Sequence, residues 1–170
     1  MKCLFVIDFQ NGFVSKRTEY VVPRIEKLMT DFNWDLILAT KFFNLPDSGF
    51  TDIMHWSRLK TSPETDLLAN VEECADRVIE KTIYSACTKE TLELLEKNGI
   101  KEVFISGIDT DCCVLKTAID LFERNIRPIV LSEYCASNGW QESHNAAIRV
   151  LQRTIGYDKI NYDIDPFADK

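Results

Sequence analysis

The segment Gly107-Ile108-Asp109-Thr110-Asp111-Cys112-Cys113-Val114 sets two thiols and two carboxylates between two recognisable elements. Before it runs Val103-Phe104-Ile105, an apolar stretch that predicts a buried strand. After it, Leu115, Ala118, Ile119 and Phe122 fall at i, i+3, i+4 and i+7, which predicts a helix. A cysteine here sits where a strand turns into the first turn of a helix. Unpaired backbone N–H groups and the positive end of the helix dipole stabilise a thiolate at such a position and make the sulfur more nucleophilic. The same residues also suit a buried cysteine that only packs, a common fate of free thiols.

Two further segments carry chemistry of the complementary kind. Lys2-Cys3-Leu4-Phe5-Val6-Ile7 predicts a buried strand and ends in Asp8-Phe9-Gln10-Asn11-Gly12-Phe13. An aspartate at the carboxyl end of the first strand of a parallel sheet points into the crevice where such folds bind ligands. Val78-Ile79 leads into Glu80-Lys81-Thr82-Ile83-Tyr84-Ser85, so that a lysine also leaves a strand-like stretch. Taken singly, Asp8 could order the turn after it and Lys81 could be a solvated surface charge.

Together the three segments resemble the isochorismatase-like cysteine hydrolases, a superfamily that includes nicotinamidases and N-carbamoyl amidases. Those proteins carry Asp-x-Gln-x-x-Phe after strand one, Lys-x-x-Tyr-Ser in mid-chain and Thr-Asp-x-Cys-Val at a helix start. Here the motifs stand as Asp8 to Phe13, Lys81 to Ser85 and Thr110 to Val114, in the same order. Ser132-Glu133-Tyr134-Cys135-Ala136 and His144 are weaker echoes, and the resemblance covers nearly the whole chain.

The resemblance implies Cys113 as nucleophile, Asp8 as general base and Lys81 as third member of a catalytic set. It implies an oxyanion hole made by the backbone N–H groups of Asp109 and Cys113, with a cis peptide between Ile108 and Asp109. The chemistry is coherent: a thiol of free pKa ~8.5 needs a base and an electropositive surrounding to act near neutrality. Cys112 is the rival thiol, but successive helical positions lie ~100° apart, so the two should not face one carbonyl. The motif selects Cys113 and leaves Cys112 as buried filler. Phe13, Phe42, Tyr84 and Trp56 are candidates to line a substrate pocket, with core packing the alternative for each.

One departure narrows the chemistry. Nicotinamidases of the superfamily bind a metal beside the triad through a segment typically reading Ala-Thr-Lys-Asp-Phe-His. Here it reads Ala39-Thr40-Lys41-Phe42-Phe43-Asn44, and His55 and His144 are the only histidines. Zinc and iron sites want clustered His, Cys or carboxylate ligands. The expectation is therefore no metal and no cofactor, with His55 a polar surface residue and His144 a hydrogen-bonded structural one. Isochorismatases proper cleave a vinyl ether without a cysteine nucleophile, so Cys113 argues against that activity. The chemistry left is that of a metal-independent cysteine amidohydrolase on a small molecule. The competing reading is a binding or thiol-reactive protein that kept the fold without the catalysis.

These residues need elements to hold them. Ile25, Leu28, Met29 and Phe32 predict a helix after strand one, and Leu36-Ile37-Leu38-Ala39 a second strand. Thr88 caps a helix carrying Leu92 and Leu95 and ended by Gly99. Pro128-Ile129-Val130-Leu131 predicts another strand, Ala147, Ile148 and Leu151 a last helix, and Ile160 with Tyr162 a short edge strand. Apolar strands alternating with amphipathic helices predict an α/β fold: a three-layer α/β/α sandwich with a mainly parallel central sheet, one domain over residues 1–170. Residues 43–65 break the rhythm, yet Phe50, Trp56 and Leu59 make them too apolar for a linker, so they predict an ordered flap beside the crevice.

Bulk composition excludes other classes. A net charge of −7 and a pI near 4.9 oppose a nucleic-acid partner. No signal peptide or membrane-length apolar run is visible, and six cysteines without C-x-x-C spacing read as reduced thiols. The expectation is a cytoplasmic protein with a small-molecule substrate, which the resemblance would assemble as a homo-oligomer, a dimer or larger. Its glycines form neither G-x-G-x-x-G nor a P-loop, which removes a phosphate cradle.

Overall fold

The protein is seen as a computed structural model that describes residues 1–161. Six strands, β1 (Cys3–Ile7), β2 (Leu36–Phe42), β3 (Arg77–Lys81), β4 (Glu102–Ile108), β5 (Arg127–Ala136) and β6 (Ile160–Asn161), form one sheet. Their order is β3-β2-β1-β4-β5-β6 and every pairing is parallel. Tyr162, placed in the last strand from sequence, lies outside the described residues.

Alternation along the strands divides the core. Cys3, Phe5 and Ile7 point to one face, where Leu95 of α4 (Lys89–Lys97), Ala118 and Leu121 of α5 (Leu115–Glu123), and Ile148 and Leu151 of α6 (Trp140–Thr154) cover them. Leu4 and Val6 point to the other, against Ile25, Leu28 and Met29 of α1 (Val22–Thr30) and Val71 of α3 (Ala69–Cys74). A strand buried on both faces reads as a continuous apolar run, which is why these strands stand out in the sequence.

Strand order reverses between β1 and β4, so the connections on either side wind away from each other and leave a crevice at the carboxyl ends. Ile7 pairs with Gly107 there and Phe42 with Lys81. Gly107 takes φ +130°, and a Cβ on it would lie 2.1 Å from the carbonyl oxygen of Ile7. Only glycine lets these two strands close at the crevice.

Most expected elements form, with longer bounds: β2 runs on to Phe42, and β5 joins two segments that read separately in the sequence, up to Ala136. Thr88 caps α4 through its side chain, which accepts the Thr91 N–H, and Gly99 follows at φ +63°. Residues 43–65 are ordered and include α2 (Gly49–Asp52), capped by Ser48. The short helix α3 adds to the expected set.

The helix after the cysteines differs from expectation. Residues Thr110–Val114 form a π-helical turn before α5 begins at Leu115. Within α5, Thr117, Ala118, Asp120 and Leu121 are buried, while Phe122, expected on the apolar face, is 48% exposed.

Candidate active site

Asp8 follows β1, Lys81 ends β3 and Cys113 lies in the turn after β4, so three strands bring to one point residues far apart in the chain. Lys81 Nζ is 2.7 Å from Asp8 Oδ2, with both side chains fully buried. Nζ also lies 3.6 Å from Cys113 Sγ and donates to the carbonyls of Ile83 at 2.9 Å and Tyr84 at 3.0 Å. Asp8 adopts φ 48°, a left-handed conformation that aspartate tolerates better than most residues. Thr40 fixes it there: its hydroxyl donates to Asp8 Oδ1 at 2.7 Å and accepts the Asp8 N–H at 3.0 Å.

Cys113 is 4% exposed, and its environment corrects the expectation of a thiolate favoured by a helix start. Burial pushes the thiol well above its ordinary range, the Asp8 charge and hydrogen bond push the same way, and Lys81 opposes them. Burial also works against the charge of Lys81, but Asp8 and Cys113 outweigh it and hold the ammonium above its usual range.

The Ile108–Asp109 peptide is cis, as the resemblance implied. The Asp109 carbonyl accepts the N–H groups of Cys112 and Val114, tying the turn to its first residue. Asn138 clasps the Asp109 carboxylate with its backbone N–H at 2.8 Å and its side-chain amide at 2.9 Å. Burial raises this carboxyl to about 6 against the pull of those bonds.

A cavity of about 350 Å³ opens above Cys113. Phe13, Phe42, Tyr84 and Trp56 all line it, joined by Phe50 of the flap. Phe50 meets Phe42 at 5.0 Å and Tyr84 at 4.8 Å, both edge to face, and Phe13 stacks on Trp56 at 6.2 Å. Phe42 and Phe13 are also core residues, so for them wall and packing are one role. Cys112 corrects a second expectation. It is half-buried and lines the cavity beside Cys113, because the π-turn separates successive side chains by less than an α-turn does. Burial still holds its thiol at about 12.

The polar residues that hold this crevice carry no assignment from sequence. Gln10, wholly buried, donates to the carbonyls of Phe42 at 3.0 Å and Thr65 at 2.8 Å and accepts the Phe42 N–H at 2.8 Å. It thereby joins β2 to the end of the flap. Replacing it with leucine strands three buried backbone groups, so Gln10→Leu is expected to lose about 1–3 kcal/mol or more in chemical denaturation. Its place in the Asp-x-Gln motif was the available signal.

A metal beside these residues fails on the donors present. Phe42 offers no ligand atom, and Asn44 spends its amide on the flap, donating to the carbonyls of Trp56 at 2.9 Å and Arg58 at 3.1 Å. Its oxygen accepts from Ser48 at 2.7 Å and Thr51 at 3.1 Å. His55 is exposed. His144 is buried against Thr110 and Ser132, 2.9 Å from the Thr110 hydroxyl, and burial keeps its pKa below the usual value. Among the described residues no three His, Cys, Asp or Glu side chains converge as a metal site. Turnover is expected to survive chelation unchanged, and one equivalent of bound zinc or iron lost together with activity would overturn this.

A doubly wound parallel sheet with a lined crevice at its switch point defines an α/β protein with an enzyme-type site. Residues 2–157 match the isochorismatase domain, and the chain belongs to the isochorismatase family. Isochorismatase family protein 1A of Dictyostelium discoideum is 39% identical over 79 residues, which is 45% of this chain and 36% of that protein. The match thus spans little more than a third of that relative's length. A nicotinamidase of Schizosaccharomyces pombe is 26% identical across 86% of this chain and 87% of its own. Among solved structures, a Bacillus subtilis nicotinamidase superposes with a TM-score of 0.81 at 23% identity, covering 91% of this chain and 96% of that one. N-carbamoylsarcosine amidase from Thermoplasma acidophilum gives 0.80 at 22%, covering 96% and 98%. At these identities the two structures speak for the fold. Among the described residues no helix is long and apolar enough to cross a membrane.

Proposed function

We propose that the protein hydrolyses an amide-type C–N bond of a small molecule through a thioester on Cys113, without metal or cofactor. The observation that carries this is the buried Asp8, Lys81 and Cys113 set, with 2.7 Å and 3.6 Å contacts, at the floor of an aromatic cavity. The amidase names of the relatives lend support.

In this reading Asp8 takes the Cys113 proton as the sulfur attacks the substrate carbonyl. The backbone N–H groups of Asp109 and Cys113 receive the oxyanion. Collapse breaks the C–N bond, and the departing nitrogen takes the proton from Asp8. A water, deprotonated by Asp8, then attacks the thioester, releasing the acid and restoring the thiol. Phe13, Phe42 and Tyr84 hold the substrate body.

The test is incubation with a panel of small amides, following ammonia release and the mass of the acid-quenched protein. Turnover with an acyl adduct on the Cys113 peptide is expected. Amide binding with neither ammonia nor adduct would favour the binding-protein reading, for which the upward-held thiol is the motive.

A further inference from the structure

Within the reading of the cavity as an amidase site, we propose that Arg17 recognises a carboxylate on the substrate, so that the substrate class is small amides bearing an acid group. Two arginines line the cavity of a chain whose net charge is −7. Their surroundings differ. Arg58 Nε lies 2.9 Å from Glu64 Oε1, and Glu64 Oε2 accepts the Leu59 N–H, so its charge is already answered inside the flap.

Arg17 has no carboxylate partner among the described residues. One nitrogen, Nη1, donates to the Asn138 carbonyl at 2.7 Å, and the guanidinium lies over the Trp140 ring at 4.2 Å. Trp140 takes φ 69°, an uncommon conformation for a bulky residue, and its ring forms the platform that stations the cation. The opposite edge of the guanidinium remains for a ligand, and a planar fork of donors matches a carboxylate.

Position ties this cation to the reacting centre. Asn138, which holds Arg17 by its carbonyl, is the residue that clasps Asp109 at the head of the Cys113 turn. Among the described residues Asp109 is the only carboxylate lining the cavity, and its Oδ1 is already occupied by the Asn138 donors. A substrate with its carbonyl at Cys113 and its body against Phe13 and Trp56 thus has a cation on one side, and the Asp109 carboxylate beside it is already held through Oδ1 by Asn138.

The experiment compares acid-bearing amides with neutral counterparts: terephthalamate against para-toluamide, and succinamate against butyramide. For each pair kcat/KM is measured in the wild type, Arg17→Met, Arg17→Lys and Arg24→Met. Arg24, which pairs with Glu133 outside this cavity, controls for a general change of charge. In the wild type at least one acid-bearing amide is expected to exceed its counterpart by about tenfold or more. Arg17→Met should erase that ratio, Arg17→Lys should keep part of it, and Arg24→Met should keep it all. Equal rates within both pairs, a ratio that survives Arg17→Met, or an equal loss in Arg24→Met would overturn the proposal.

If no amide of either kind is cleaved, the amidase reading fails separately, and the anion site is read by protection. Terephthalate should then slow iodoacetamide alkylation of Cys113 in the wild type and not in Arg17→Met. Absent or unchanged protection would overturn the site itself.

Discussion

Cys113→Ala is expected to abolish turnover, while Cys112→Ala keeps most of it, although both sulfurs face one cavity. A covalent route has no substitute for its nucleophile. The neighbouring thiol has no hydrogen bond from Asp8 or Lys81 to activate it. Peptide mapping after low-dose iodoacetamide should find Cys113 labelled ahead of Cys112 when substrate-free protein is treated near neutrality. Loss of turnover in Cys112→Ala with retention in Cys113→Ala would reverse the assignment. The cavity geometry alone leaves both sulfurs in reach, so this pair of variants decides which one forms the thioester.

Asp8→Asn should lose about 10²–10⁴-fold in kcat, because an amide keeps the shape of the carboxylate and cannot accept the thiol proton. The same variant should alkylate faster at neutral pH than the wild type. Asp8 raises the Cys113 thiol and Lys81 lowers it, so removing Asp8 leaves only the cation acting on the sulfur from this pair. A faster thiol in a slower enzyme distinguishes a lost base from a collapsed site. Lys81→Met should move alkylation the other way, reducing it at neutral pH. Burial holds the wild-type thiol above its ordinary range, so its alkylation rate should keep rising with pH beyond neutrality instead of levelling there. A levelling near neutral pH, together with near-normal turnover in Asp8→Asn, would mean that these residues are not the catalytic unit.

The sequence disclosed the sheet because strands covered on both faces cannot hide their apolar character. Phe5 on β1, Leu38 on β2 and Ile105 on β4 all sit in unbroken apolar runs. Asp8 and Lys81 stood out in the sequence because a charged residue closes a strand-like run in each case, whereas Cys113 was singled out from Cys112 only by its motif. The π-turn was not legible, because Thr110 to Val114 reads equally well as an α-helical start. The short helix α3 holds too few residues to show a period. Thr40 and Asn138 remained silent, and Gln10 showed only as a motif position, because a buried polar side chain acquires its meaning from its partner. Those partners lie 32 residues away for Thr40 and Gln10 and 29 for Asn138.

The ammonium of Lys81 has three protons and four claimants: Asp8 Oδ2, the carbonyls of Ile83 and Tyr84, and Cys113 Sγ. The sulfur, at 3.6 Å, is the longest of these contacts. If the thiol proton passes to Asp8, the carboxylate loses its charge and with it the strongest claim on a donor. That donor can turn to the new thiolate without Lys81 leaving the two carbonyls that fix its nitrogen. The negative charge then moves from oxygen to sulfur around a cation that stays in place, and reorganisation reduces to the rotation of one N–H bond. An ammonium with a proton to spare would hold both anions at once and give neither a reason to exchange.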